Sequence, residues 1–586
     1  MNEDRRLRHG DFPVQKLVLA WLAVCAILLL TNATRLVTGR FPDPDDALRL
    51  VQVRDLLGGQ GWFDTTQYRI DPPSGTTMHW SRLVDLPLLL IVTALEPLVG
   101  QANAERAALV MVPFLTFGVA AAAVGRLAWR LLGARVAIFA VLACGFLPSL
   151  LFQFQPLRID HHGWQTASLA IALWAICRRR PQAGGSIAGV SMALGISISL
   201  ELLPLAAAFA IVLFWRWWLN SNDRFWLVAY MQALSIGLIA TYLATRGLSF
   251  EAHCDSVSPA HLLFFVVAGC GTWAIGRMVK LTGFGLASLF ALVGILALGS
   301  FALVSPTCLA SPFAALDPMV ERYWYRLVLE GQPLWKQPAS TYVPALIQMG
   351  AGIGAMVLLM MRSRGWTRRW WSEHLFLLLA AVILGLLVAR SLAFAAVIAA
   401  IPLGWLAVTL MNRLRSQGRP VYSFSIAAIM VLLLAPTSLV LAARSVMPAP
   451  EAGMEGAQSS SCDIYENAQR LDQLGSETIF APLDMGPAVL LDTKHAVVAT
   501  GHHRAADAMS DLIKAFTSSA DEARVLLAAH AVDYVALCTD MNEIRLYTTI
   551  SDDGFAAQLA SGEAPRWLRP VDVGGPAEFA VYRVID

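Results

Sequence analysis

The sequence predicts an α-helical polytopic membrane domain followed by a small α/β domain outside the bilayer, and three observations carry that prediction. Apolar residues make up 56% of the 586 and charged residues 15%. An ordinary globular domain has about 25% charged residues, so this chain has too few to coat a water-facing surface of its size. Apolar runs of roughly 16 to 22 residues recur from Val14 to about Ala443, each near the length that crosses about 30 Å of hydrocarbon. After Pro448 the runs stop, and Asp, Glu, His, Ser and Gly become common. The expected division is a membrane domain over 1–444 and a soluble domain over 445–586.

The first run, Leu17 to Leu30, follows Arg5, Arg6 and Arg8, the charge pattern of a signal sequence. No small-x-small site ends it cleanly and further spans follow, so it is read as an uncleaved first span. Basic clusters then recur in short loops: Arg126 to Arg135, Arg178 to Arg180, Arg216 to Arg224, Arg277 to Lys280, Arg362 to Arg369 and Arg413 to Arg419. If all of these are cytoplasmic, as the positive-inside rule directs, each successive pair is separated by two crossings. The first gap holds one apolar run too many. Leu86 to Val99, short and broken by Glu96 and Pro97, is placed at the outer interface.

The expected topology therefore has about thirteen spans, a cytoplasmic N-terminus and an external C-terminal domain. In a bacterial inner membrane that external side is the periplasm. Four longer segments face it: Thr34 to Arg106, Gln153 to Gly163, Gly247 to Pro259 and Ser305 to Tyr342. The net charge is +2, and no basic segment lies outside the short loops, so nothing points to a nucleic-acid partner. Cys25, Cys144, Cys177 and Cys270 lie in or beside spans, where a free thiol behaves as a small apolar group. Cys254, Cys308, Cys462 and Cys538 fall outside, an even number in an oxidising compartment. Cys254 with Cys308 and Cys462 with Cys538 is the simplest pairing, although spacing alone does not fix connectivity.

Polar chemistry gathers in the external segments. Asp43, Asp45 and Asp46 follow the first span directly and repel one another unless a cation or solvent separates them. The plain alternative is a proline-stiffened turn with Asp46 capping a helix from Ala47. Asp160-His161-His162 supplies a hard oxygen and a borderline nitrogen, a pair suited to Mn²⁺, Mg²⁺ or Zn²⁺. The competing reading makes Asp160 the cap of the next helix. Glu330-Gly331-Gln332-Pro333 lies among interfacial aromatics such as Trp324 and Trp335. Arg390 sits in an outward hairpin with almost no polar residues nearby, so its charge needs a partner. An anionic ligand headgroup and a carboxylate from a neighbouring loop are both candidates.

The soluble domain alternates short strands (Thr478 to Ala481, Ala496 to Thr500, Val532 to Cys538, Phe579 to Val584) with helical stretches around Ala505 to Phe516 and Glu522 to Ala529. Its distinctive segments are Pro482-Leu483-Asp484-Met485-Gly486-Pro487 and Gly501-His502-His503-Arg504. His502 and His503 read as surface or loop residues.

Taken in order, these features resemble the catalytic subunit of oligosaccharyltransferases, within the C-type glycosyltransferase fold. That family has an Asp nine residues ahead of an Arg-Asp pair in its first external loop, and Asp45 precedes Arg54-Asp55 at that spacing. Asp160-His161-His162 is similar to the Asp-x-His form of its second motif. Glu330-Gly331-Gln332-Pro333 looks like the Glu of its long external loop, and Arg390 like the Arg that contacts the lipid-linked pyrophosphate. Pro482-Leu483-Asp484-Met485-Gly486 falls where the family carries Trp-Trp-Asp-Tyr-Gly, with both tryptophans absent. The chain thus resembles a divergent bacterial member of the family.

The resemblance implies transfer of a sugar or oligosaccharide from a polyprenyl phosphate or pyrophosphate donor to an acceptor on the periplasmic face. It implies a divalent cation, Mn²⁺ or Mg²⁺, at Asp45, Asp160 and His162. Asp45 or Glu330 would act on the acceptor, and Arg390, Asp484 and Gly486 would bind substrate. Because those tryptophans hold the Ser or Thr of an Asn-x-Ser/Thr acceptor in the family, the acceptor is left open among protein, lipid and polysaccharide. A transporter or lipid-glycan flippase is the alternative. It is disfavoured by the absence of an internal repeat and by polar residues at the outer ends of spans rather than the midplane.

Overall fold

A computed structural model describes residues 10–251, 253–278, 283–310, 313, 316–416, 420–440 and 460–585. Arg5 to Arg8, Lys280, Arg419, Ala443 and Pro448, which enter the topology reading, lie outside the described residues. The chain forms two compact units. One comprises Met1–Ala33, Ser81–Ala314 and Leu329–Pro448, and the other Thr34–Trp80, Ala315–Val328 and Ala449–Asp586.

The first is an all-helical membrane unit: α1 (Val14–Thr31), α2 (Arg82–Val99), α3 (Gln101–Leu132), α4 (Ala134–Cys144), α5 (His162–Ala175), α6 (Pro181–Ile198), α7 (Leu203–Leu219), α8 (Arg224–Arg246), α9 (Pro259–Arg277), α10 (Gly283–Val304), α11 (Ala339–Arg362), α12 (Gly365–Leu387), α13 (Leu392–Ser416) and α14 (Pro420–Leu434). Among the described residues, nine helices are long and apolar enough to cross a membrane, with α4 and α14 apolar but shorter. The chain is a multi-pass membrane protein. Helices dominate because hydrocarbon offers no partner for backbone N–H and C=O groups, so each segment must satisfy its own.

Local signals explain several boundaries. Gly100 (φ 77°) and Gly133 (φ 89°) bracket the 32-residue α3, each in the positive-φ region that only glycine enters without strain. Ser258 opens α9 through a capping box with His261, and Pro259 takes the first helical position. The sequence places Leu86 to Val99 at an interface as a short element. The structure makes it part of an 18-residue helix, α2, which runs through Pro87 and Pro97.

Small residues let α6 and α8 approach closely. A Cβ added at Gly185 would stand 2.4 Å from the Trp226 carbonyl oxygen, and one at Gly189 would stand 2.3 Å from that of Tyr230. These two glycines form the small-xxx-small spacing that brings helix backbones together in lipid. Elsewhere in the bundle a buried ion pair joins α7 to α12. Arg216 donates from Nε to Glu373 Oε1 at 3.0 Å and from Nη2 to Oε2 at 2.5 Å.

The second unit is built on a sheet of β3 (Thr478–Phe480), β4 (Ala496–Val497), β5 (Tyr534–Cys538), β6 (Leu568–Pro570) and β7 (Phe579–Val584), after a two-residue ribbon of β1 (Thr66–Gln67) and β2 (Thr76–Thr77). The sheet order is β4-β3-β5-β7-β6, with β3 parallel to β4 and β5 and with β7 antiparallel to β5 and β6. Phe516 of the helix Ala506–Thr517 packs 4.7 Å from Phe480 and stacks 5.3 Å from Tyr547. Strands and helices fall close to their expected positions. The helices Ile464–Arg470, Gly486–Asp492, Asn542–Ile550 and Phe555–Ala560 and strand β6 come in addition.

Sequence reading assigned Thr34 to Trp80 to a loop of the membrane domain, whereas the structure ties it to the C-terminal sheet. The reason is backbone pairing at the sheet edge. The Val497 amide donates to the Arg69 carbonyl at 2.8 Å, and the Asp71 amide to the Val497 carbonyl at 3.0 Å. Arg54 Nη1 adds a bond to the Leu491 carbonyl at 2.7 Å. Cys254 is bonded to Cys308 in the membrane unit and Cys462 to Cys538 in the second, the simplest pairing that the sequence allowed.

Candidate functional site

In the membrane unit, residues 153–161 lead from the short helix Pro148–Phe152 into α5, and with the first residue of that helix they carry a cluster of buried polar side chains: Arg158, Asp160, His161 and His162. Asp160 does not cap α5. That helix begins at His162 without a side-chain cap, and Asp160 Oδ1 instead accepts from the His161 amide at 2.5 Å and pairs with His161 Nδ1. Its other oxygen, Oδ2, lies 3.4 Å from His162 Nε2 and 3.4 Å from Arg158 Nη2. The ligand atoms of Asp160, His161 and His162 all lie within 4.8 Å of one another. Burial opposes ionisation of the Asp160 carboxyl, but the adjacent His161, His162 and Arg158 outweigh it and hold the group well below the usual carboxylate range.

Arg390 occupies the 3-10 turn Ala389–Ser391 between α12 and α13. Its partners are carboxylates: it pairs with Glu201 and, at 3.0 Å from Nη1, with Glu330 Oε1. Of the two partners left open by the sequence, the loop carboxylate is present. The Ala389 amide also donates to the Gln332 carbonyl at 3.0 Å, which anchors the segment that bears Glu330. Glu330 Oε2 is 4.0 Å from Arg158 Nη2, and Glu201 Oε2 is 3.7 Å from His162 Nδ1. A continuous run of polar and charged side chains therefore joins Asp160, His162, Glu201, Arg390, Glu330 and Arg158.

Asp45 belongs to the second unit. The helix it opens starts at Pro44, one turn earlier than expected, and its cap is Asp43, which accepts from the Asp45 amide at 3.0 Å, rather than Asp46. His502 lies in a loop, as one half of its sequence reading had it, but at 2% exposure it is buried rather than at the surface. Its Nε2 stands 3.2 Å from Asp45 Oδ1, and its Nδ1 stands 2.7 Å from Thr500 Oγ1. Asp484 is exposed. Its amide and that of Leu483 donate to the two oxygens of Glu543 at 3.0 and 2.7 Å, and Tyr547 Oη donates to Glu543 Oε1 at 2.7 Å. Burial, together with the Asp484 charge, pushes the Glu543 carboxyl up to about 8. Gly486 is required by packing, since a Cβ there would meet the Ala499 carbonyl oxygen at 2.9 Å.

No protein-family model and no curated protein matches the sequence. Among solved structures, the chain is similar to the oligosaccharyltransferase of Archaeoglobus fulgidus in its apo form, at 14% identity and a TM-score of 0.71 over 95% of this chain and 72% of that one. The archaeal oligosaccharyltransferase AglB from the same organism, in complex with an inhibitory peptide and a dolichol-phosphate, matches at 13% identity and a TM-score of 0.69, covering 96% and 73%. The A. fulgidus enzyme in complex with Zn and sulfate matches at 14% identity and a TM-score of 0.64, covering 97% and 73%. The fold is that of the archaeal oligosaccharyltransferase.

Within this oligosaccharyltransferase fold, sequence reading missed Glu201, His161 and Glu543. Glu201 is a lone acid at the head of the apolar run that becomes α7, and its available signal was the unpaired cost of a charge in such a run. His161 sat between two singled-out residues. Glu543 lies 59 positions from Asp484, a separation that no local pattern spans.

Proposed function

We propose that the protein is a membrane glycosyltransferase that moves a sugar or oligosaccharide from a polyprenyl phosphate or pyrophosphate donor to an acceptor on the periplasmic face. The observation that carries this reading is the buried Asp160–His161–His162 cluster, joined through Glu201 to Arg390, in a fold shared with an enzyme solved with dolichol-phosphate.

The donor set fits a divalent cation. It combines a carboxylate held ionised with imidazole nitrogens, a mixture that takes Mn²⁺ or Zn²⁺ and tolerates Mg²⁺. Asp160 and His162 would hold the ion, with His161 as a further nitrogen. The resemblance assigns another oxygen to Asp45, whose carboxylate His502 orients within the second unit. Such an ion supplies Lewis acidity that stabilises charge on a departing phosphate. The remaining work falls to side chains. Arg390 offers fixed positive charge to the phosphate by exchanging one of its carboxylate partners, and fixed charge of this kind is worth more in a dry site than in water. Glu330, released in that exchange, or Asp45 orients the acceptor and takes its proton.

Pro482 and Leu483 stand where the family has tryptophans, which favours a lipid or polysaccharide acceptor over an Asn-x-Ser/Thr peptide. The test is to delete the gene, profile lipid-linked glycans by mass spectrometry, and complement with wild type or Asp160→Ala. A polyprenyl-linked sugar should accumulate on deletion and be cleared by wild type but not by a normally expressed Asp160→Ala protein. An unchanged lipid pool would sink the transferase reading in favour of transport, and full complementation by Asp160→Ala would remove the metal site.

A further inference from the structure

His162 is the pivot of the polar cluster because both of its ring nitrogens face oxygen. Nε2 is 3.4 Å from Asp160 Oδ2. On the opposite edge of the ring, Nδ1 is 3.7 Å from Glu201 Oε2 and 3.4 Å from Gln165 Oε1. A neutral imidazole carries one N–H, so one nitrogen donates and the other offers a lone pair.

When a cation takes the lone pair of Nε2, two features on the other edge of the ring receive the proton on Nδ1. Gln165 Nε2 donates to the Ser199 carbonyl at 3.1 Å, which turns the amide so that its oxygen faces His162. Glu201 Oε2 is buried and has no hydrogen-bond partner among the described residues, while Arg390 pairs with the other oxygen, Oε1, of the same carboxylate. These acceptors suit a proton on Nδ1, which frees the Nε2 lone pair for a cation shared with the Asp160 carboxylate. Glu201 itself is held by its place in the fold. It lies in the 3-10 turn Leu200–Leu202 ahead of α7, where Ser199 Oγ accepts from its amide at 3.4 Å.

We infer that Glu201 is a positioning residue of the metal site, its carboxylate charge standing 3.7 Å behind His162 Nδ1 and favouring the tautomer in which Nε2 presents its lone pair alongside Asp160. A carboxylate behind a ligating histidine fixes the tautomer and ring orientation and raises the basicity of the ligating nitrogen. Because the same carboxylate pairs with Arg390, it also links the cation site to the proposed phosphate-binding arginine. The inference rests on the proposed cation site at Asp160 and His162.

The experiment is a Mn²⁺ titration of the purified full-length chain in detergent, followed by the electron paramagnetic resonance signal of the free ion. Glu201→Ala should weaken Mn²⁺ binding by about 10- to 100-fold, the usual consequence of losing such a partner. Glu201→Gln keeps an acceptor without the charge and should fall between Ala and wild type. In a His162→Ala background, Glu201→Ala should add nothing, because its effect passes through that ring. Wild-type affinity in Glu201→Ala overturns the inference, as does an equal loss with and without His162, which would mark a general charge effect. If the Ala variant fails to fold, Glu201→Gln decides: a several-fold loss supports the role and wild-type affinity removes it. No Mn²⁺ binding by wild type, or unchanged binding by Asp160→Ala, would instead overturn the cation site itself.

Discussion

Arg390 is held by two carboxylates in the fold, and the proposed function gives it the donor phosphate as well. Its fork reaches Glu201 and Glu330 together, so one positive charge is shared between two carboxylates while the side chain remains a quarter exposed. Lysine keeps the charge but cannot make a two-pronged contact. Arg390→Lys should therefore lower turnover of a polyprenyl-linked donor by roughly 10- to 100-fold, matching the loss of one charged hydrogen bond of about 1.5–3 kcal/mol. Unaltered turnover would remove Arg390 from the phosphate role. Arg216 and Glu373 are a different case, a structural pair with 7% and 5% side-chain exposure. Glu373→Ala strands a buried cation and should cost about 3–5 kcal/mol, whereas the double change Arg216→Met with Glu373→Leu should be close to neutral. Thermal unfolding in detergent separates the two outcomes, and equal melting temperatures would mean that the pair does not hold α7 to α12.

At the scale of elements, close approach of helices and the capping of one turn make the sharpest predictions. A methyl at Gly189 would press on a backbone carbonyl of α8, which cannot rotate away as a side chain could. Gly189→Ala should destabilise the bundle by about 1–3 kcal/mol. The same change at Gly294, where nothing lies within 4 Å of the added carbon, should be neutral in a parallel melt. In the second unit, Glu543 accepts from the Leu483 and Asp484 amides and thereby holds the turn Pro482–Gly486. Its carboxyl is raised from 4.5 to about 8 in the folded state. A group raised on folding binds its proton more tightly there, so its contribution is fully present below about pH 4.5 and is lost as pH rises through about 8. Stability of the full chain to denaturant, followed by a probe in the second unit, should fall across that window in wild type. It should fall less steeply in Glu543→Gln, where the Asp484 carboxyl, also raised by desolvation, still titrates, and a matching slope in both proteins would sink the assignment.

For the whole molecule, sidedness is the property to test. Cys254–Cys308 and Cys462–Cys538 are bonded, one pair in each unit, and disulfides persist in oxidising compartments. Periplasmic placement of both predicts that a reporter active only outside the inner membrane will be active when fused after Asp586 or within 247–259. Non-reducing peptide mapping of the native protein should recover both linked pairs. Activity confined to a cytoplasmic reporter would invert the topology and move the proposed site to the other face.

What the sequence determined by itself was the helical membrane domain, the alternation of strand and helix after it, and Asp160 with His162 as a cluster. Each is a local or periodic property: apolar length is set by the thickness of hydrocarbon, and neighbours in a turn remain neighbours in space. Tertiary structure alone decided that Arg390 meets Glu201 and Glu330, that His502 buries itself against Asp45, and that Thr34–Trp80 joins the C-terminal sheet. These pairings unite residues 60 to several hundred positions apart. No period or spacing encodes them, because they follow from which helix ends and sheet edges the packed fold brings together.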